Sequence, residues 1–367
     1  MQLLRYKTLL LFVGVLVVAL AVQAMLWLSF PVADQNYWAA DAAKVAAGHP
    51  LGPSDITYPH PGTTIIYPTA ALIRAGLGGK VALRLVMAVL IALCATLAAL
   101  LAYRLYPGSW WWLAVALILI PDMRFLHGTP PSSAAAALTV LYFLLVWYAA
   151  RAGTQLRPLI FVGACAGVLL ATRIDTGLFV LCTALPFLLL TARWRVFVPP
   201  AVAALTFFIC NPYMWAAPLA YLQSIPAIIA SNEALVGIHI LVPFLSTFPF
   251  AIGSLILSAV AMFLLYRTSA DTRMPLPVYL WFLGATLLYT ALLAPLQYHP
   301  VRYFLPFYMV WDILLPYWLY TLAARYGSRV PYLTPRQIEI AVIVCIALLI
   351  PLRLYLLMTA DTMEIIL

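Results

Sequence analysis

Long apolar runs alternate with short polar breaks along nearly the whole chain. Crossing a hydrocarbon layer about 30 Å thick takes roughly 20 apolar residues. On that basis the runs predict spanning helices at about 8–30, 81–103, 105–121, 132–150, 158–172, 176–192, 196–210, 240–266, 276–294, 303–324 and 338–357. The third, fifth and seventh are short and contain or abut Pro107, Pro158, Pro199 and Pro200, so their edges are blurred. One further segment, 63–79 (TTIIYPTAALIRAGLGG), reads as helical, but it is short, holds Pro68 and Arg74 and ends in glycines. It fits a helix lying at the membrane surface better than one crossing it.

Composition narrows this to one class. Of 367 residues, 66% are hydrophobic and 8% charged, whereas soluble domains carry about 25% charged residues. Such a chain lacks the polar atoms to cover a water-facing surface. A soluble domain and a nucleic-acid-binding module are both excluded. The expected fold is all-α, a polytopic transmembrane bundle of about eleven spans forming one domain over 1–367. Arg5 and Lys7 precede an apolar stretch too long for a signal-peptide core, which predicts an uncleaved first helix. The five cysteines (Cys94, Cys165, Cys182, Cys210, Cys345) all lie in apolar stretches without metal-site spacing and read as small core residues.

The net charge of +9 is first a record of topology, because Lys and Arg in short loops favour the cytoplasm. With eleven spans and a cytoplasmic N-terminus, twelve of the 20 basic residues fall inside. Turning 63–79 into a full span would move Arg151/Arg157, Arg193/Arg195 and Arg267/Arg273 outside, so it stays a juxtamembrane helix. All five histidines (His49, His60, His127, His239, His299) and most acids then land on the outer face. Chemistry is therefore expected outside the cytoplasm. Two outer loops, 31–80 and 211–239, are long enough to be structured, and 218–231 fits an amphipathic surface helix.

Within the first outer loop, Asp34 follows helix 1 at the water–lipid boundary, where a carboxylate can accept a proton. It suits equally the N-cap of a surface helix running to Ala47. Asp41 and Lys44 read as that helix's solvated face, and His60 is held between Pro59 and Pro61. Arg124, Arg173, Arg302, Lys80 and Arg84 lie near outer helix ends, where arginine can grip phosphate in a planar fork or simply snorkel to the interface. His299, Arg302 and Tyr303 crowd one helix start. Trp110, Trp111 and Trp112 beside Tyr106 read as an interfacial belt, and Gly163 with Gly167 as a close-packing pair. Asp312, midway along its span, needs a partner or a wet cavity. No nucleotide-binding loop, serine elbow or Cys/His metal spacing occurs.

Several segments in this order carry a resemblance: VADQNYW after helix 1, HPGTTIIYP leading to GLGGKVALRL, ILIPDMRFLHGT, LLATRIDTG, CNPYMWAAPLAYL and VRYFLPFYMVW. Together they resemble the C-type glycosyltransferase superfamily (GT-C), especially the bacterial branch related to protein O-mannosyltransferases and aminoarabinose transferases. The resemblance implies a polyprenyl-phosphate sugar donor used outside a bacterial or archaeal plasma membrane, with Asp34 as catalytic base. The acceptor would be a glycan, lipid or protein. No cofactor is implied, a divalent cation is left open, and no nucleic acid is involved. Substrate contacts are expected from His60, Arg124, Arg173, Arg302, Tyr303, Asp122, Tyr37 and Lys80, with Trp38, Tyr58 and Tyr213 available to pack on sugar faces. Where the family often has a second acid, about a dozen residues beyond Pro121, this chain has Ser132 and Ser133, and Asp122 is the candidate substitute.

A phosphate whose charge is held by cations is already a good leaving group, so one base suffices for inverting displacement by a hydroxyl. Two other readings fit the same pattern. A secondary transporter or lipid flippase would rely on Asp312, and a lipid-linked glycan ligase or polymerase on His60 and Arg302.

Overall fold

A computed structural model describes residues 2–30, 32, 34–49, 62–122, 124–127, 129–153, 155–212, 249–267, 274–293, 301–326 and 334–359, with single positions 215, 219 and 223. Among them the regular elements are all helical. They are α1 Gln2–Ser29, α2 Gln35–Ala46, α3 Thr63–Arg74, α4 Gly79–Leu105, α5 Trp111–Leu119, α6 Arg124–His127, α7 Pro130–Ala152, α8 Leu156–Thr172 and α9 Ile174–Ala192. A 3-10 turn over Arg193–Phe197 leads into α10 Val198–Cys210, followed by α11 Pro249–Arg267, α12 Leu276–Leu293, α13 Val301–Tyr326 and α14 Pro335–Thr359. Among the described residues four helices are long and apolar enough to cross a membrane and four more are shorter apolar helices, as an integral membrane protein requires. Apart from the single positions 219 and 223, the surface helix expected over 218–231 lies outside the described residues.

Burial orders the bundle from centre to rim. In the apolar window of α7, 83% of residues are buried, against 17% in α1, so α7 is central and α1 faces lipid. Pro130 and Pro131 open α7, where the missing amide hydrogens cost nothing. Around it pack α4, α8 and α13. A side chain at Gly163 would meet the Pro199 carbonyl at 2.6 Å, and one at Gly167 the Ala203 carbonyl at 2.6 Å. The glycine pair thus serves the close packing its spacing suggests, seating α8 directly on the backbone of α10.

Three expectations need correction. The third apolar run forms only the nine-residue α5, about 14 Å long, which cannot cross a bilayer. It is instead sheltered among α4, α13 and α14. Trp111 is no interfacial anchor: it is fully buried, donates from Nε1 to the Ile313 carbonyl at 2.7 Å, and packs on Trp147 and Tyr317. Trp110 and Trp112 are half-buried, and Trp110 lies under the Arg336 guanidinium at 4.2 Å. Of the cysteines, Cys94 and Cys165 are core residues, whereas Cys182 and Cys345 are exposed on apolar helices.

Candidate functional site

The helices alternate in direction, so the start of α2, the starts of α4, α7 and α9, and the ends of α8 and α10 gather at one end of the bundle. The polar side chains of interest sit there.

Asp34 immediately precedes α2. Its backbone is left-handed, φ 55 and ψ 12, a conformation shared by few residues other than glycine, and its side chain makes no capping bond to the helix. Helix entry is managed by its carbonyl, which accepts from Tyr37 N at 3.1 Å. The N-cap reading therefore fails for the carboxylate, which is half-buried. The surroundings are braced: Arg84 donates from Nε to Gln35 Oε1 at 2.9 Å and from Nη1 to the Leu28 carbonyl at 3.2 Å. That guanidinium ties the end of α1 to the start of α2 and is a brace rather than an open phosphate ligand. Lys80 is exposed in the first turn of α4, and Tyr37 is 52% exposed on α2. Asp41 is not on a solvated face. It is 2% exposed and accepts from Lys44 Nζ at 3.1 Å.

The first loop is strapped to the bundle where α3 begins. Gly62 N donates to the Thr172 carbonyl at 3.3 Å, Thr63 Oγ1 to the Ala171 carbonyl at 3.1 Å, and the Thr64 and Thr172 hydroxyls meet at 2.6 Å. Gly62 has φ +56, and a Cβ there would strike the Trp38 ring. Strain and overpacking each cost about 1–3 kcal/mol. Gly62→Ala is therefore expected to lower the thermal midpoint of the purified protein and to open the strap to limited proteolysis, which a Trp38→Leu partner change partly relieves.

Thr172 leads into Arg173, which is 2% exposed. Its Nε and Nη2 bind both oxygens of Asp175 at 2.9–3.1 Å, and its Nη1 donates to Ser132 Oγ at 2.6 Å. Ser132 thus stands on one side of the guanidinium without a charge, and Asp175 supplies the carboxylate from the other. Thr176 fixes Asp175 further, N to Oδ1 at 2.6 Å.

Arg124 is also buried, at 4%. Its Nε and Nη2 bind Asp122, with Nη2 to Oδ2 at 2.6 Å, and the same Nη2 meets Asp312 Oδ2 at 2.5 Å across 188 residues. Burial opposes the guanidinium's charge, and the two carboxylates overcome that opposition, holding its pKa above the ordinary value. Asp122, Arg124, Phe125, Leu126 and every residue from Thr129 to Leu144 are buried. Arg124 and Asp122 are thus ion-paired with Asp312 inside the bundle, and Arg173 is likewise matched by the carboxylate of Asp175. His60 lies outside the described residues, and Arg302 and Tyr303 fall in the first turn of α13 with side chains outside that description. Among the described residues no group of three metal-ligating side chains occurs. The Arg173–Asp175 pair had a visible signal, two opposite charges two residues apart in ATRIDTG; its link to Ser132 had none.

No family model and no curated protein matches the chain. In fold it is similar to the crystal structure of ArnT from Cupriavidus metallidurans, which was solved bound to undecaprenyl phosphate. The TM-score is 0.58 at 15% identity, covering 97% of this chain and 73% of that one. The likeness is one of fold, an all-helical architecture shared over nearly the whole chain, as the apolar runs predict.

Proposed function

From that shared fold as premise, together with the motifs that resemble GT-C enzymes, we propose that the chain transfers a sugar from a polyprenyl-phosphate donor to an acceptor hydroxyl on the extracytoplasmic side of a bacterial or archaeal plasma membrane. The observation that carries this is Asp34, a carboxylate at the junction of α1 and α2, held in a rare backbone conformation and making no side-chain cap hydrogen bond. Residues in sparsely populated conformations persist where their surroundings fix them, and they cluster at working sites. The fold adds that a similar architecture was solved with undecaprenyl phosphate.

In this reading Asp34 removes the acceptor's proton as the acceptor oxygen forms its bond to the anomeric carbon. The bond to the phosphate oxygen breaks on the opposite face, its electron pair leaves with the lipid phosphate, and the anomeric configuration inverts. Lys80 and Arg302 are assigned to the departing phosphate, and Tyr37 and Tyr303 to the sugar face. Arg124, Arg173 and Asp122 support the site from behind. The transporter reading loses its main support, because Asp312 is committed to Arg124.

The test is transfer of label from synthetic undecaprenyl-phosphate sugars by the purified protein in lipid nanodiscs supplied with membrane extract. Label is expected in a glycan, lipid or protein fraction, with an inverted linkage. Transport of the lipid across a bilayer without any new glycosidic bond would replace this proposal with a flippase.

A further inference from the structure

The end of the bundle away from Asp34 has no part in the mechanism above. α9 begins beside the strap to the first loop, and its 19 residues carry the chain about 28 Å from it. There α9 stops at Arg193, and the 3-10 turn Arg193–Phe197 hands the chain to α10. Arg193 has φ 52 and ψ −132, a backbone region dominated by glycine. α7 finishes at the same end of the bundle in nearly the same conformation, φ 65 and ψ −125, and places Gly153 there. One turn thus takes the residue that sterics favour, while the other holds an arginine under strain. No contact within the protein offsets that strain. The Arg193 side chain is exposed and makes no hydrogen bond or ion pair among the described residues.

The rest of the turn shows what such a side chain can meet. Trp194 and Phe197 are 72% and 73% exposed, while Val196 is buried and pins the turn to the bundle. The Arg195 guanidinium lies over the Trp194 ring, 5.3 Å from its centroid. Aromatic rings standing outward beside arginines at the end of apolar helices suit the boundary between acyl chains and headgroups, the rings below and the guanidinium groups at phosphate depth. The charge around them has one sign. Gly163 meets Pro199 and Gly167 meets Ala203, so α8 runs parallel to α10 and its first turn brings the exposed Arg157 to the same end. Among the described residues the acid at this end, Glu339, is already bonded to Arg336 at 3.0 Å. We propose that the Arg193–Phe197 turn binds an anionic phospholipid of the surrounding layer, its phosphate held by Arg193 and Arg195 and its acyl chains lying against Trp194 and Phe197. This site is separate from the donor site and stands whether or not the transferase reading does.

The test titrates the full chain in detergent with phosphatidylglycerol and phosphatidylcholine of the same acyl chains, counting bound lipids by native mass spectrometry. Wild type is expected to favour phosphatidylglycerol by about tenfold or more, as two arginines at a headgroup imply. Arg193→Gly and Arg195→Gln should each bring that preference below about threefold. Arg104→Gln is the control: it removes an exposed arginine from the same end of the bundle, on α4, which packs with α1, α5 and α7 rather than with α10. It should keep the wild-type preference. Stability separates a binding role from a structural one. With phosphatidylcholine alone, Arg193→Gly should melt at or above the wild-type midpoint, because glycine relieves the strain, and phosphatidylglycerol should raise the midpoint of wild type but not of the variant. A wild type without preference, or an Arg193→Gly protein that keeps it, overturns the site. So does an Arg104→Gln protein that loses as much, which would mean a diffuse positive field in place of a site. An Arg193→Gly protein less stable than wild type in phosphatidylcholine also overturns it, since the arginine would then serve the fold.

Discussion

Asp34→Asn lowers the transfer rate by about 10²- to 10⁴-fold, the contribution expected of a positioned general base, while the thermal midpoint stays at its wild-type value. The choice of Asn matters because of the backbone. With φ 55, this position excludes most side chains, and Asn enters the left-handed region as readily as Asp. Asn therefore removes the proton acceptor and little else. Asp34→Gly removes it too and relaxes the strain, so a matching loss in both variants isolates chemistry from conformation. Asp34→Ala adds a strain penalty and is the poorer test. An Asn variant that works at the wild-type rate with undecaprenyl-phosphate sugars removes Asp34 from the mechanism, whatever becomes of the rest of the site.

The largest stability effect is expected from Arg124→Met. The guanidinium is the cation between Asp122 and Asp312, and each of the three residues is at most 4% exposed. Removing it leaves two buried carboxylates facing each other, a loss of about 3–5 kcal/mol, enough to prevent accumulation of folded protein in the membrane. The triple change Asp122→Asn, Arg124→Met, Asp312→Asn removes all the charge together and should recover most of the stability, since uncharged replacements of buried ion pairs are often neutral. Asp312→Asn alone keeps the Asp122–Arg124 pair and should retain transfer, whereas a transporter built on Asp312 would lose its activity. Thermal unfolding in detergent, followed by size-exclusion chromatography, reads all three. An Arg124→Met protein as stable as wild type would mean that the two carboxylates are not enclosed as described.

The spans were legible because lipid leaves little choice: helix positions such as α4, α7 and α12 follow from apolar run length alone. Asp34 was legible for a related reason, as an acid where an apolar run stops. What hydropathy cannot see is how deep a short segment sits. Fourteen ångströms of α5 and a full span look alike when a proline blurs the edge, and so Arg124 and Asp122 were assigned to the surface. Their third partner is 188 residues further on, a separation across which no local pattern carries information. Asp41 and Trp111 were misassigned because amphipathicity locates a polar or aromatic residue on a helix, while burial depends on the neighbours that cover it. That Ser132 and Asp175 both meet the guanidinium of Arg173 is a property of three-dimensional packing, and only coordinates reveal it.

The half-length α5 also constrains how the chain is made. Its nine residues are too few to hold a span in the bilayer by themselves, and the Asp122–Arg124 ion pair behind it gains its second carboxylate only when Asp312 has been synthesised. At translation rates of about 5–20 residues per second, the 188 intervening residues take roughly 10–40 s to emerge. During that interval Arg124 has Asp122 but lacks its second carboxylate. Biogenesis of this protein therefore completes late, and a chain truncated before α13 should be recognised by membrane quality control rather than fold as a stable fragment.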